Sequence, residues 1–134
     1  MIKILTFGVF DLLHIGHILL FKRAKELSEG SSRLVVAIQD SEFIQKYKPN
    51  TNLVYTQQER IFMVNSIKYV DEVVVYRNVD TDIKTIDFDI WVKGPDQNHD
   101  GFKRAEQWCY QNNKKVVTLD RTDGISSSDL RALL

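Results

Sequence analysis

Residues Ile2–His17, IKILTFGVFDLLHIGH, predict the class of fold more directly than any other stretch of this sequence. The run Ile2–Phe7 is mostly apolar, which is typical of a strand buried in a sheet. A loop rich in glycine and histidine follows it, and a helix is then expected over Ile18–Glu29, ending near Gly30. A strand that passes through a polar loop into a helix is the repeating unit of an α/β protein.

The rest of the chain continues this alternation. We expect further strands at Leu34–Ile38, Val73–Tyr76, Ile90–Lys93 and Val116–Leu119. Further helices are expected after the capping box at Thr56, over Phe102–Asn112, and in a last short helix capped by Ser126. The prediction is an α/β fold: a Rossmann-like, open, parallel, five-stranded sheet with helices on both faces, in a single domain over residues 1–134.

The composition argues against several classes of protein. The 134 residues include 18 Lys plus Arg and 18 Asp plus Glu, so the basic excess that is typical of a nucleic-acid binder is missing. The single cysteine, Cys109, cannot form an internal disulfide and suggests a reducing compartment. The apolar N-terminus lacks the features of a signal peptide, and no apolar run is long enough to span a bilayer. We therefore expect a cytoplasmic protein without nucleic-acid or membrane partners.

The most polar loops should meet at one edge of the sheet, because ligands of open parallel sheets bind beyond the carboxyl ends of the strands. Four segments follow predicted strands in this way: residues 8–17, Lys46–Lys48, Gly94–Asp100 and Arg121–Ser128. Lys46 and Lys48 are two residues apart, and in an extended segment both side chains would point the same way.

The two histidines of the first loop allow three interpretations. His14 and His17 could supply two zinc ligands, but a zinc site needs at least a third, and Cys109 lies in a different predicted helix. They could also be packing residues. Alternatively, Gly8 and Gly16 would let the backbone approach a phosphate at the start of a helix, where free N–H groups bind anions.

A resemblance favours the third interpretation. The stretch GVFDLLHIGH resembles the H-x-G-H signature of the nucleotidyltransferase superfamily, which class I aminoacyl-tRNA synthetases share, although a synthetase needs far more chain. Residues Arg121–Ser128, RTDGISSS, look like the R-T-x-G-I-S-[ST]-[ST] motif of cytidylyltransferases, and Lys68–Val73, KYVDEV, resembles their R-Y-V-D-E-V stretch. The chain is most similar to the glycerol phosphate cytidylyltransferase family.

This resemblance implies a reaction in which a phosphomonoester attacks the α-phosphorus of CTP, giving a CDP-linked product and pyrophosphate. It implies Mg²⁺ held mainly by phosphate oxygens and water, and a homodimer. The implied catalytic residues are His14, His17, Lys48 and Arg121. The implied nucleotide-binding residues are Val9, Phe10, Gly16, His17, Lys48, Asp96, Arg121, Thr122, Gly124, Ile125, Ser126, Ser127 and Ser128. The implied acceptor-binding residues are Lys46, Arg60 and Asp82.

Some of these residues also have ordinary structural interpretations. Asp11 and Asp96 could be turn or cap residues, since aspartate is common in turns and Pro95 precedes Asp96. Arg60 could be an exposed helical charge or an ion-pair partner of Glu59. The two lysines could belong to a solvated loop.

The departures from the family pattern concern the acceptor. Residues Gln97–Phe102 replace a W-E-G-K-F-D type stretch, Lys68 replaces an arginine, and Asp82 falls where the family has a lysine. The expected acceptor is a glycerol 3-phosphate-like molecule or, because a carboxylate at that position would suit an amino group, an amino-bearing phosphate such as a phospho-amino alcohol or L-glutamine phosphate. The product would serve the synthesis of cell-envelope or capsule polymers.

Two alternatives stay open: an adenylyltransferase that uses ATP and a sugar phosphate, suggested by VKGPD at Val92–Asp96, and a non-catalytic nucleotide sensor.

Overall fold

The computed structural model describes residues 1–120. Five strands are present: β1 (Ile2–Gly8), β2 (Ser32–Gln39), β3 (Glu72–Tyr76), β4 (Ile90–Lys93) and β5 (Lys115–Thr118). The helices are α1 (Ile15–Lys25), α2 (Ser41–Tyr47), α3 (Gln57–Asn65), α4 (Val79–Asp82) and α5 (Asp100–Gln111), with a 3₁₀ turn over Ile83–Thr85. In this part of the chain no helix has the length and apolar character needed to cross a membrane.

The strands form one parallel sheet in the order β3-β2-β1-β4-β5, which confirms the predicted fold class. β1 is the central strand, with Ile4 opposite Leu34 of β2 and Ile90 of β4. The strand order changes direction between β1 and β4. In open parallel sheets such a switch point leaves a crevice at the carboxyl edge, and ligands bind there.

The sheet has an apolar layer on each face, because β1 and β2 are buried on both sides. On one face Leu5 and Trp91 pack with α4, the 3₁₀ turn and α5, through residues such as Phe102. On the other face Ile4 and Val92 pack with α1 and α3. This two-sided burial explains why the strands appear in the sequence as continuous apolar runs.

Two helices that the sequence analysis did not predict, α2 and α4, follow β2 and β3. Helix α2 begins because the side chain of Asp40 accepts a hydrogen bond from the backbone N–H of Phe43. Lys46 therefore lies in a helix and Lys48 caps its C-terminus, so the prediction of an extended segment there is wrong. Successive helical residues are rotated by about 100°, and side chains two residues apart diverge.

Helix α1 begins at Ile15, three residues earlier than predicted, and ends at Lys25 instead of Glu29. The early start depends on His14, which is not among the residues that commonly cap helices. The capping box at Thr56 is confirmed: Thr56 accepts from the N–H of Glu59, and Glu59 accepts from the N–H of Thr56. The predicted last helix at Ser126 lies outside the described residues.

Candidate active site

His14 and His17 form a capping box at the start of α1. The Nδ1 atom of His14 accepts the backbone N–H of Gly16 at 3.0 Å, and Nδ1 of His17 accepts the backbone N–H of His14 at 3.2 Å. A backbone N–H can only donate, so both Nδ1 atoms carry no proton. In the neutral rings the proton is therefore on Nε2, so Nε2–H is the donor group of each ring.

The electrostatics of the pair also favour neutral rings. The two imidazoles stack with centroids 4.0 Å apart and planes at 29°. Burial, together with the neighbouring His14, lowers the pKa of His17 to about 4. Two cations at that separation would repel each other. At neutral pH, His17 is therefore a neutral hydrogen-bond donor and not an imidazolium.

The turn before the histidines depends on Phe10. Its φ is 54°, in the left-handed region, and its buried ring packs edge-on against His17 and Phe21. A Cβ at Gly8 would lie 2.5 Å from this ring. Gly8 thus makes room for the ring of Phe10, and a contact of the Gly8 backbone with phosphate stays a prediction.

Arg60 is fully buried beneath the site, so the alternatives of an exposed charge and of an ion pair with Glu59 are wrong. Its guanidinium donates to the carbonyl oxygens of Val9 and Gln39, both at 2.9 Å, and to Oγ of Ser41 at 2.5 Å. Arg60 thereby joins the ends of β1 and β2. The carbonyl of Val9 is engaged from inside the protein, and contacts of Val9 with nucleotide and of Arg60 with acceptor stay predictions.

One signal in the sequence could have revealed this burial. Arg60 lies four residues before Val64, so both are on the same face of α3, and Val64 was expected to point inward.

Burial lowers the pKa of Arg60, while the nearby carboxylates of Asp11 and Asp40 counter that effect.

Asp11 has a structural role, as the turn interpretation suggested, but its partners are distant in sequence. Its Oδ2 accepts the backbone N–H of Val54 at 2.8 Å, and its Oδ1 accepts that of Tyr55 at 2.9 Å. The carboxylate thus fastens the segment after α2 to the histidine loop.

The two candidate lysines are both exposed beside this segment and point to different neighbours. The Nζ of Lys48 lies 3.5 Å from Oε1 of Gln39, at the carboxyl end of β2. The Nζ of Lys46 lies over the ring of Tyr47, 5.4 Å from its centroid. Lys48 is therefore at the edge of the sheet where the other candidate residues converge.

Asp96 is in a turn of residues 94–97, closed by a hydrogen bond from the N–H of Gln97 to the carbonyl of Gly94 at 3.2 Å. This supports the turn interpretation of KGPD. No pattern in the sequence predicted the contacts around this turn. Nε2 of Gln97 donates to the carbonyl of Phe7 at 2.8 Å, and Nζ of Lys93 pairs with Glu106 at 3.0 Å. Gln97 thus bridges β1 and the loop after β4 at the switch point of the sheet.

Asp82 is partly buried, and its Oδ2 accepts the backbone N–H groups of Arg77 and Asn78, at 2.6 and 3.2 Å. The structure therefore gives Asp82 a local role after β3, and its role as an acceptor ligand stays a prediction. The remaining candidates lie outside the described residues: Arg121, Thr122, Gly124, Ile125, Ser126, Ser127 and Ser128.

A groove of about 630 Å³ opens next to the carboxyl end of β2. Its walls are the first turns of α2 and α3 and the strip Leu53–Tyr55, which Asp11 holds. Within residues 1–120, no three side chains of His, Cys, Asp or Glu are grouped so that they could hold a metal ion. The Nε2–H groups of the two histidines are donors, which suit phosphate oxygens.

Comparison with known proteins agrees with this geometry. A family model described as cytidylyltransferase-like matches residues 5–133. Glycerol-3-phosphate cytidylyltransferase of Bacillus subtilis (strain 168) is 38% identical over 133 residues, covering 96% of this chain and 94% of that protein. An FAD synthase of Aciduliprofundum boonei (strain DSM 19572 / T469) is 37% identical over 134 residues, covering 97% and 84%. A lipopolysaccharide core biosynthesis protein from Thermoplasma volcanium GSS1 has the same fold, with a TM-score of 0.74 at 23% identity over 91% of this chain and 98% of that one.

Proposed function

We propose that this chain, which belongs to the cytidylyltransferase-like family, transfers CMP from CTP to the phosphate of a small phosphomonoester. The observation that carries the proposal is the histidine capping box. It fixes two neutral Nε2–H donors at the start of α1, next to the switch point of the sheet. Donors held in place before the reaction stabilise developing charge without having to reorganise.

The reaction needs no general base. A phosphate oxygen of the acceptor, already ionised at neutral pH, forms a bond to the α-phosphorus of CTP. The bond from that phosphorus to the bridging oxygen breaks, and pyrophosphate leaves with the electron pair. Charge therefore accumulates on phosphate oxygens, where the Nε2–H groups of His14 and His17 would donate. The protein's contribution is positioning and electrostatic stabilisation.

Magnesium would arrive as part of the nucleotide substrate, neutralising charge on the triphosphate. The residues fit this arrangement better than a protein-held ion. Both carboxylate oxygens of Asp11, the acidic residue closest in sequence to the histidines, already accept backbone N–H groups. The histidines accept backbone N–H groups through Nδ1, and their Nε2–H groups would donate to phosphate oxygens.

For the acceptor we propose a glycerol 3-phosphate-like molecule or an amino-bearing phosphate, such as a phospho-amino alcohol or L-glutamine phosphate. The similarity to glycerol-3-phosphate cytidylyltransferases supports the first. The replacement of a cation by Asp82 motivates the second, although one Asp82 oxygen is engaged locally. The CDP-linked product would feed synthesis of a cell-envelope or capsule polymer.

An adenylyltransferase is the second candidate, since FAD synthases are among the relatives and VKGPD resembles adenylyltransferase sequences. The deciding experiment is a pyrophosphate-release assay of the full chain with CTP or ATP and a panel of phosphomonoesters. We expect release with CTP. A strong preference for ATP would overturn the cytidylyltransferase proposal, and nucleotide binding without any release would favour a sensor.

A further inference from the structure

Asp11 joins two parts of the site that are far apart in sequence. It precedes His14 by three residues, and its two carboxylate oxygens hold the backbone N–H groups of Val54 and Tyr55. Hydrogen bonds to an ionised acceptor are among the stronger ones, and here both oxygens of one carboxylate are directed at consecutive residues. Asp11 is thus a latch between the histidine loop and the strip Leu53–Tyr55.

The latched strip is one wall of the 630 Å³ groove. The opposite side contains Ser41, whose Oγ accepts from Arg60, and Arg60 also holds the carbonyl of Val9. The groove is therefore tied to the loop before the histidines from both sides: through Asp11 at one wall and through Arg60 at the other.

The lining of the groove indicates which part of a substrate it suits. None of its ten lining residues is Lys or Arg, and most carry hydroxyl, amide or carboxylate groups. Such a surface suits a hydroxyl- or amino-bearing organic moiety. A phosphate group is better served by the Nε2–H donors of the histidines and by Lys48 nearby.

We propose that Asp11 is a positioning residue for the acceptor, which it serves by holding the strip Leu53–Tyr55 as a wall of the groove that takes the organic part of the phosphomonoester. This inference rests on the proposed transfer reaction. Asp11 does not touch the reacting atoms, so its removal affects acceptor binding before it affects chemistry or nucleotide binding.

The test is Asp11→Asn in the full chain. An amide has one acceptor oxygen, and its NH₂ group would face a second N–H donor, so one hydrogen bond is lost and the strip is released. We expect KM for the acceptor to rise about tenfold, the effect of losing roughly 1.4 kcal/mol of binding. KM for CTP and kcat should change less than about threefold, since Arg60 still holds Val9.

Two further variants separate the latch from other roles. Val54→Pro removes one donor and leaves the Asp11 carboxylate intact, so it should raise KM for the acceptor in the same way. Asp71→Asn is the matched control. Asp71 also accepts a backbone N–H, that of Leu34 at 2.8 Å, and pairs with Lys25, but at the opposite edge of the sheet. It should lower stability and leave both KM values unchanged.

Amide hydrogen exchange gives a readout that is independent of activity. The N–H groups of Val54 and Tyr55 should exchange slowly in the wild type and faster in Asp11→Asn. If the wild type is active and the KM of Asp11→Asn for the acceptor is unchanged, the positioning role of Asp11 is overturned while the proposed function stands. An equal rise in KM for CTP, or a large fall in kcat, would assign Asp11 to the nucleotide or the reacting atoms and also overturn it. If the wild type turns over no phosphomonoester, the proposed function itself fails.

Discussion

At the scale of single residues, the two histidines combine a structural and a chemical role in one ring. Nδ1 of each accepts a backbone N–H at the helix start, and Nε2–H is the donor that the proposed function assigns to phosphate. This division between the two ring nitrogens distinguishes the three interpretations of the histidines, as metal ligands, packing residues or phosphate ligands. Packing and phosphate binding are compatible, because they use different nitrogen atoms of the same side chains.

His14→Asn tests this division of labour. Asparagine is a good N-cap residue, so its Oδ1 can accept the N–H of Gly16 and α1 should keep its stability. The Nε2–H donor is lost, and kcat should fall by about 10²–10³, as for removal of one preorganised donor. Pyrophosphate release and thermal denaturation measure the two effects. His14→Ala, which also removes the cap, should cost about 1 kcal/mol in addition.

The lowered pKa of His17 predicts a pH dependence of stability. Folded His17 protonates only near pH 4, whereas the unfolded chain binds this proton near pH 6.5. Between these values the unfolded state holds more protons, so the free energy of unfolding decreases as pH falls from 6.5 to 4 and is constant above that range for this group. Urea denaturation at pH 7, 5 and 4 measures it.

His17→Gln is the control for this dependence. Glutamine at the third helical position can complete a capping box, so the helix start is kept while the titrating ring is removed. The wild type should lose more stability than His17→Gln between pH 6.5 and 4. Parallel curves for the two proteins would contradict the neutral-ring interpretation.

At the scale of elements, the ends of β1 and β2 are held by a side chain from α3. Arg60 satisfies the carbonyl groups of Val9 and Gln39 at the points where both strands end. The histidine loop and helix α2 therefore both begin next to backbone groups that Arg60 holds in place. A buried cation in this position acts on the site through the backbone it holds.

Arg60→Met should consequently destabilise the fold and lower activity together. It leaves the buried carbonyl of Gln39 and the part-buried carbonyl of Val9 without their donor and removes the cation near Asp11 and Asp40, at a cost of about 3 kcal/mol. Arg33→Met is the matched control, since Arg33 is half-exposed and pairs with Glu72 at 3.4 Å; its loss should cost less than about 1 kcal/mol. Equal unfolding free energies for the two variants would refute the role given to Arg60.

At the scale of the whole molecule, the site is assembled where the strand order changes direction. Gln97 spans this point by donating to the carbonyl of Phe7, and it fixes the loop after β4 relative to β1. Gln97→Met should therefore weaken CTP binding about tenfold, measured by calorimetry on the full chain, while the exposed neighbour Asn98→Ala should not. Unchanged affinity in Gln97→Met would show that the bridge does not shape the nucleotide site.

That the chain forms a homodimer stays a prediction.

The amino-acid sequence alone was enough to predict the alternation of strands and helices, the parallel sheet and the histidine pair that places the chain in its family. These features depend on neighbouring residues: apolar runs, short-range caps and local motifs. The three-dimensional structure was needed to show that Arg60 is buried, that Asp11 holds Val54 and Tyr55, and that Gln97 reaches Phe7. The contacts of Asp11 with Val54 and Tyr55, of Arg60 with Val9 and of Gln97 with Phe7 join residues 43 or more positions apart through a backbone group. Any residue type supplies such a backbone group, so the partner is chosen by which segments the sheet brings together and not by a pattern in the sequence.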